Sequence, residues 1–522
     1  MVVSRVPPFG GILFSSQFPN IPNLVWFLSD MKKGIVIGSG IAGLASALRL
    51  KAKGYDVTVF EANQHAGGKL HAFDRDGFRF DYGPSLFTMP HFVDELFELF
   101  GENPRDHFNY TKKASICSYF WEDGDRFVAS AEKNQFIEEA ATQFGEPREN
   151  LERYLKNSEK KYDLTSTLFL EKSLHKASTY LSKDALKSVL SIGSLHLNKS
   201  LNSVNEHYFS NPKLTQLFNR YATYNGSSPY VTPGIMSLIP QLEMRFGTYY
   251  PRGGMHEISQ SLYRFATAKG IEFCFNAKVE EVVEEHGHVS GVKLQHQFHP
   301  ADLVICNMDI FSAYRSILKN AKKPTRVLKQ ERSSSALIFY WGIQKSFPQL
   351  DLHNIFFSSD YEQEFKAIFE DHTLIDDPTI YINITSKEEP SHATENGENW
   401  FVMINTPSNK GQDWDDLRQK AKSAILKKLS RILKTNIEAL IVTEEIVDPV
   451  TIERDSLSHE GSLYGTSSNS KFAAFLRHPN FSSTIKDLFF CGGSAHPGGG
   501  IPLCLLSAKI VSDLIPDVHE IS

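Results

Sequence analysis

The stretch that decides the fold covers residues 34–69 and reads GIVIGSGIAGLASALRLKAKGYDVTVFEANQHAGGK. The apolar run 35–37 predicts a buried strand, a glycine-rich turn follows it, and residues 44–53 have the pattern of a helix. A second strand is predicted over 56–60. A strand, a helix and a strand in this order form a βαβ unit, so the sequence predicts an α/β fold with a Rossmann-type domain.

The glycine-rich turn has the spacing GxGxxG. Gly38 allows a tight turn, Gly40 leaves room for a pyrophosphate against the backbone, and Gly43 lets the helix pack closely on the strand. The free N–H groups at the start of the helix favour a phosphate. We therefore predict that the turn binds a dinucleotide through Gly38, Ser39, Gly40, Ile41, Ala42 and Gly43.

An acidic residue ends the second predicted strand. Glu61 follows Gly40 by 21 residues, a spacing at which a carboxylate accepts hydrogen bonds from the adenosine ribose and repels the 2′-phosphate of NADP. A second glycine pair, Gly67 and Gly68, lets a loop pass over a cofactor. The next residue, Lys69, carries a positive charge that can contact a pyrophosphate. The predicted contacts in this stretch are Glu61, Ala62, Gly67, Gly68 and Lys69.

This extended pattern resembles the FAD-binding signature of the flavin amine oxidase and phytoene desaturase superfamily, which implies FAD as the cofactor. A second stretch, residues 488–502 (LFFCGGSAHPGGGIP), precedes a predicted helix and resembles the C-terminal motif of the carotenoid desaturases. The start of such a helix stabilises negative charge on a reduced flavin. The predicted contacts here are Gly492, Gly493, Gly499, Gly500 and Ile501.

Two further cofactor contacts follow from the resemblance. The family has a turn near its flavin that is similar to the one at Gly83 and Pro84, although a plain structural turn is the alternative reading. In relatives, a strand that corresponds to Lys278 and Val279 presents its backbone to the adenine, which makes Val279 a candidate contact.

Residues 214–247 are dense in aromatic and aliphatic side chains, which suits a tunnel for a long apolar ligand and equally suits an ordinary core. The run RYATY at 220–224 resembles the carotenoid 3,4-desaturase branch of the bacterial phytoene desaturase family. We interpret Arg220, Tyr224 and Glu243 as substrate contacts near this tunnel. No residue is assigned as a catalytic acid or base.

The resemblance runs from Lys33 almost to the end of the chain and implies FAD-dependent desaturation of a long-chain carotenoid, nearest to 3,4-desaturation of a 1-hydroxycarotenoid. A hydride then leaves the allylic C4 for flavin N5, and water or a weak base takes the C3 proton. Oxygen or a quinone is the expected electron acceptor. The alternatives are a phytoene desaturase, a carotenoid isomerase or ketolase and, in another class, a non-catalytic isoprenoid-binding escort protein.

Length and composition limit the possible domain organisation and the possible partners. A chain of 522 residues is too long for one core, and its net charge of −6 argues against nucleic acid as a partner. The five cysteines are scattered without a CxxC pair, so we expect neither a disulfide framework nor a metal site, and a cytoplasmic location fits.

We predict a discontinuous FAD-binding domain with an inserted α+β substrate domain. The FAD-binding domain comprises 31–110, 250–325 and 450–519, and the substrate domain comprises 111–249 and 326–449. Residues 1–30 are expected to be a disordered tail or an upstream extension from a mis-assigned start, because Met31 directly precedes the first strand.

No apolar run reaches the roughly 18 residues that a membrane-spanning helix needs. Residues 151–200 hold nine basic side chains against five acidic ones, interleaved with apolar residues. Such a segment can lie on anionic headgroups or form a solvated helical face. We expect peripheral attachment to the inner face of the cell membrane, with Lys160, Lys161, Lys183 and Lys187 in the contact.

Overall fold

The computed structural model describes residues 32–166, 170, 172–176, 195–470 and 477–518. The prediction for residues 1–30 lies outside these ranges, as do Lys183 and Lys187. The strands, in chain order, are β1 Lys33–Ile37, β2 Asp56–Phe60, β3 Ala72–Arg75, β4 Phe78–Asp81, β5 Phe87–Thr88, β6 Tyr110–Lys112, β7 Ser115–Phe120, β8 Arg126–Ser130, β9 Thr248–Pro251, β10 Glu272–Cys274, β11 Glu281–Glu285, β12 His288–Leu294, β13 Gln297–Pro300, β14 Leu303–Cys306, β15 Ser335–Ile343, β16 His353–Phe356, β17 Ile380–Ile384, β18 Glu398–Thr406, β19 Ile441–Val447 and β20 Leu488–Phe490.

The α-helices, in chain order, are α1 Ile41–Ala52, α2 His91–Glu98, α3 Lys133–Phe144, α4 Arg148–Thr165, α5 Leu201–Tyr208, α6 Pro212–Asn219, α7 Pro240–Met244, α8 His256–Ala268, α9 Ile310–Ser316, α10 Thr325–Leu328, α11 Tyr361–Lys366, α12 Trp414–Ile432, α13 Pro449–Ser456 and α14 Ile501–Leu514. Two 3-10 helices that matter for the site are Arg220–Asn225 and Gly234–Leu238.

One of the two main sheets is parallel and has five strands in the order β10-β2-β1-β14-β20. β1 lies at its centre, where Gly34 pairs with Val57 on one side and with Leu303 on the other. β1, α1 and β2 form the predicted βαβ unit. The predicted α/β fold class is confirmed.

Both faces of this sheet are covered, which explains why β1 is apolar without alternation. Val36 points to a core that α1, α8 and α14 complete, whereas Ile35 and Ile37 point to a second core with α9 and the β11-β12-β13 sheet. Because two layers bury the strand, the carboxyl end of β1 is held rigidly where the glycine-rich turn begins.

A second sheet of seven strands has the order β19-β15-β18-β17-β16-β7-β8 and is antiparallel except between β16 and β7. α12 packs on one face through Ile425 and Leu429. The helices α3, α4 and α6 pack around Tyr119 at the other end of the sheet. Helices therefore cover both faces of this sheet, since Tyr119 and the neighbouring Phe120 belong to the cores on its opposite sides.

The two sheets draw on different parts of the chain. The parallel sheet takes its strands from within 31–110, 250–325 and 450–519, and the larger sheet takes its strands from within 111–249 and 326–449. The domain boundaries themselves stay predictions. One predicted strand is shorter than expected, since β11 begins at Glu281 and leaves Val279 in an extended segment before it.

One residue of the predicted membrane contact has to be corrected. Lys161 is buried, with its Nζ 2.6 Å from Ser237 Oγ and 3.0 Å from His196 Nδ1, and loss of solvent lowers its pKa to about 8. Lys160 is exposed on the same helix. Within the described ranges, no helix is long and apolar enough to cross a bilayer.

The packing of α1 against α14 predicts a stability effect. Leu48 is fully buried in that core, so Leu48→Ala should lower the free energy of unfolding by about 2–5 kcal/mol. Leu99→Ala, at a side chain that is 41% exposed, should cost less than about 0.5 kcal/mol. Urea unfolding of both variants checks this, and equal losses would contradict the assigned packing.

Candidate functional site

One cavity of about 760 Å³ extends from the carboxyl end of β1 to the strands β15, β16, β17 and β18. Its wall brings together almost all predicted site residues from both halves of the chain. These are Gly38, Gly40, Ile41, Ala42, Glu61, Ala62, Gly67, Gly68, Lys69, Gly83, Pro84, Val279, Gly492, Gly493, Gly499, Gly500 and Ile501 on the side of the parallel sheet, and Arg220, Tyr224 and Glu243 on the other side.

Two predicted contacts, Ser39 and Gly43, lie behind this wall. The backbone N–H and hydroxyl of Ser39 both donate to Glu61 Oε2, at 2.7 and 2.8 Å, and thereby hold the carboxylate at the cavity edge. A Cβ at Gly43 would lie 2.0 Å from the carbonyl oxygen of Gly38. Both residues therefore have supporting positions, in which they shape the turn rather than face the cavity.

Asn307 ties the two glycine-rich turns together. It follows β14 directly, accepts from the N–H of Gly43 at 3.1 Å and donates to the carbonyl of Cys491 at 3.2 Å. A Cβ at Gly40 would lie 2.8 Å from its side-chain oxygen, and one at Gly492 would lie 2.5 Å from its side-chain nitrogen. Both glycines are thus required by the approach of one amide.

Two cations on this wall have no carboxylate partner among the described residues. Lys69 Nζ lies 3.4 Å from the carbonyl of Leu463, and enclosure by protein lowers its pKa. Arg477 is 3% exposed, and its guanidinium donates to the carbonyls of Tyr464 and Gly493 at 2.7 and 3.2 Å. Burial lowers the pKa of Arg477 to about 10. A buried cation without a counter-ion is costly, so this wall favours an anionic occupant.

These features fit FAD. The glycine cradle admits a diphosphate against the backbone, and the two cations can offset its charge. The carboxylate of Glu61 lies at the cavity edge, where it can accept from ribose hydroxyls. α14 begins at Ile501, and its N-terminus faces the same cavity. In the part of the chain that is described, no group of three or more potential ligands could hold a metal.

The opposite wall combines apolar side chains with one buried ion pair. Arg220 Nη2 lies 3.0 Å from Glu243 Oε2, and the two side chains are 6% and 1% exposed. The guanidinium also donates to Tyr119 and Tyr224 at 2.8 and 2.9 Å, while Tyr221 donates to Glu243 at 2.6 Å. Tyr224 donates to Glu243 as well. The three predicted contacts therefore form one closed network.

Residues 214–247 contribute both to a core and to the cavity wall. Phe218 and Tyr221 are buried in the core around α3 and α4. The apolar side chains of the segment that line the cavity are Ile235, Met236, Leu238, Ile239 and Leu242. The 3-10 helix Gly234–Leu238 and the short α7 turn these side chains toward the cavity. This part of the lining therefore suits an apolar ligand.

An acid with a raised pKa lies close to the cavity without facing it. Burial raises the pKa of Glu364 to about 7, and its carboxylate accepts from the N–H and hydroxyl of Thr379 at 3.0 and 2.6 Å. Thr379 is the residue on the wall. Since Glu243 is held in an ion pair, neither acid is placed as a free base toward a substrate.

Sequence reasoning missed Asn307 and Arg477 as site residues. A polar residue directly after a buried parallel strand lies at the ligand-binding edge of the sheet, so Asn307 carried a usable signal. Arg477 had none, because it follows no recognisable motif. The wall residues Ser85, His353 and Tyr381 were missed for the same reason.

Comparison with known proteins identifies the family of the chain. The family of flavin containing amine oxidoreductases matches residues 41–516. The chain is 59% identical over 489 residues to a 1-hydroxycarotenoid 3,4-desaturase from Flavobacterium sp. (strain P99-3), covering 94% of this chain and 100% of that protein. It is 32% identical to a 4,4'-diapolycopene oxygenase from Methylomonas sp, covering 93% and 98% of the two chains.

Solved structures show the same fold at lower identity. An oxidoreductase from Methanosarcina mazei has a TM-score of 0.61 at 17% identity, covering 92% of this chain and 100% of its own. Putrescine oxidase with bound putrescine has a TM-score of 0.61 at 13% identity, covering 94% and 99%. The prediction of an FAD-dependent oxidoreductase is confirmed by these matches. The chain belongs to the flavin containing amine oxidoreductase family and, within it, to the carotenoid desaturases.

Proposed function

We propose that the protein desaturates a long-chain carotenoid, by removing one hydrogen each from C3 and C4 of a 1-hydroxycarotenoid. The observation that carries this proposal is the single cavity that joins a dinucleotide cradle to an apolar chamber. The substrate follows from the full-length similarity to a protein named 1-hydroxycarotenoid 3,4-desaturase.

The cradle residues bind and orient the cofactor. Gly38 and Gly40 keep the backbone open toward the diphosphate, Lys69 and Arg477 supply positive charge, and Glu61 accepts from the ribose. Bound FAD supplies the hydride acceptor. The N-terminus of α14 also faces the cavity, where it would stabilise negative charge on the reduced cofactor.

The substrate wall positions the polyene chain. The apolar side chains around Ile235 and Leu242 enclose the polyene, and the Arg220–Glu243 pair keeps its own charges neutralised, so it shapes the chamber without attacking the substrate. A polyene cation makes the neighbouring C3 proton acidic, so water or a weak acceptor suffices as the base. Positioning is then the main contribution of the protein.

The reaction class is tested by product mass. The FAD-loaded protein, given 1-hydroxylycopene in liposomes, should form a product two hydrogens lighter that absorbs at longer wavelength, because one double bond joins the polyene. Chromatography with mass spectrometry reads this out. An unchanged mass with altered retention would indicate an isomerase, and a gain of oxygen would indicate a ketolase. Protein that binds no FAD would indicate the escort class.

The ribose contact is tested by Glu61→Ala. Loss of the charged acceptor should weaken FAD binding by about 1–3 kcal/mol, or roughly 5- to 150-fold in Kd. Because Glu61 also accepts from Ser39 and from the N–H of Asn63 at 2.9 Å, the melting temperature of the apoprotein is measured in parallel. Glu272→Ala, an exposed acid on the neighbouring strand, is the matched control. A Kd equal to that of the control would remove Glu61 from the site.

We also propose that the protein is attached peripherally to the inner face of the cell membrane. Oxygen or a quinone then serves as its electron acceptor. An apolar substrate resides in the bilayer, and exposed Lys156 and Lys160 on α4 have no ion-pair partner among the described residues. Membrane lipids then supply the substrate directly to the apolar end of the cavity.

Charge reversal tests the membrane contact. Lys156→Glu with Lys160→Glu should reduce binding to anionic liposomes several-fold at low salt, with a smaller difference at high salt, since surface attraction is screened. Lys427→Glu with Lys434→Glu, at exposed positions in and just beyond α12, is the matched control. Flotation measures binding. Equal binding of both variants would assign α4 to ordinary solvated surface.

A further inference from the structure

We propose that Ser85, Tyr381 and His353 form the site that holds the hydroxyl group of the substrate and so selects the bond that reacts. All three line the cavity. Ser85 Oγ lies 2.8 Å from Tyr381 Oη, which lies 2.8 Å from His353 Nδ1. This inference rests on the proposed function, because it needs a substrate that carries a hydroxyl.

Two groups contact His353 Nδ1. Asn383 Nδ2 donates to the carbonyl of Leu352 at 3.0 Å, which orients its amide, and it lies 3.3 Å from His353 Nδ1. Nδ1 forms one strong hydrogen bond at a time, and the 2.8 Å contact with Tyr381 Oη is shorter than the 3.3 Å contact with Asn383. Burial lowers the pKa of His353 to about 4, so the ring is neutral at physiological pH.

Tyr381 bridges His353 and Ser85, and in either direction of this chain Ser85 Oγ keeps a proton or a lone pair for a ligand. No other hydrogen bond to Ser85 Oγ exists within the described residues. The hydroxyl of Ser85 is thus an open hydrogen-bonding group held in place by two residues behind it. A substrate hydroxyl can pair with it at the cavity surface, where Ser85 and Tyr381 are both partly accessible.

The location of this chain of hydrogen bonds matches the reaction. Ser85 follows the turn at Gly83, where an added Cβ would lie 2.1 Å from the carbonyl of Lys69, so it adjoins the dinucleotide cradle. Tyr381 lies on β17 of the other sheet. In a 1-hydroxycarotenoid the carbon that bears the hydroxyl is only two bonds from C3, so its binding site must lie at this junction.

The buried ion pair on the substrate wall already has its hydrogen bonds. Arg220 is paired with Glu243 and with two tyrosines, so a substrate hydroxyl would have to break an existing bond to join it. Ser85 offers a hydrogen-bonding partner without that cost.

The test compares two substrates that differ only in the hydroxyl, 1-hydroxylycopene and lycopene, with FAD-loaded wild type, Ser85→Ala and Tyr381→Phe. Loss of one hydrogen bond should raise the KM for the hydroxylated substrate about tenfold in each variant and leave the KM for lycopene within about twofold. Tyr208→Phe, a buried phenol outside the cavity, is the matched control.

The outcomes are distinct. A wild type that does not desaturate 1-hydroxylycopene overturns the proposed function itself. A wild type that prefers it, with variants that keep the preference, overturns only the hydroxyl site. Equal losses for both substrates, with normal FAD content, also overturn it, because they indicate a general change of cavity shape. If Tyr381→Phe does not fold, Ser85→Ala alone decides.

Discussion

The approach of the Gly43 position to the carbonyl of Gly38 is the constraint on which the rest of the site depends. A Cβ at position 43 would lie only 2.0 Å from the carbonyl oxygen of Gly38, which is too close for any side chain. α1 can therefore begin where it does only with glycine at this position. That start point sets the direction of the helix N-terminus and places Gly40 against Asn307. The second glycine-rich turn then closes on the same asparagine, which brings the C-terminal segment to the cradle.

The sequence was most informative where a short motif dictates backbone geometry. The βαβ unit and the meeting of Glu61 and the C-terminal turn at one cavity could be predicted because glycines and an acid at fixed spacings leave few alternatives. The parallel sheet followed from apolar strands such as β1, which are buried on both faces. The sequence placed Arg220, Tyr224 and Glu243 near one tunnel, but it did not predict that they hydrogen-bond to one another.

Residues that depend on long-range packing could not be found from the sequence. Ser85 and Tyr381 are separated by 296 positions, and no local pattern indicates that their hydroxyls meet. For Lys161 the prediction from the sequence was wrong. A basic residue on an amphipathic helix is expected at the surface, but the Lys161 ammonium is buried against Ser237 and His196, which only the tertiary structure reveals.

The discontinuous parallel sheet has a consequence for the order of events during synthesis. β1 pairs with β14, and β14 pairs with β20, so the cradle needs segments from both ends of the chain. A ribosome-bound chain has the first glycine turn early but lacks Gly492, Arg477 and α14 until translation is nearly complete. The cofactor site is therefore complete only near the end of synthesis, and a chain that stops before β20 lacks one side of the cavity.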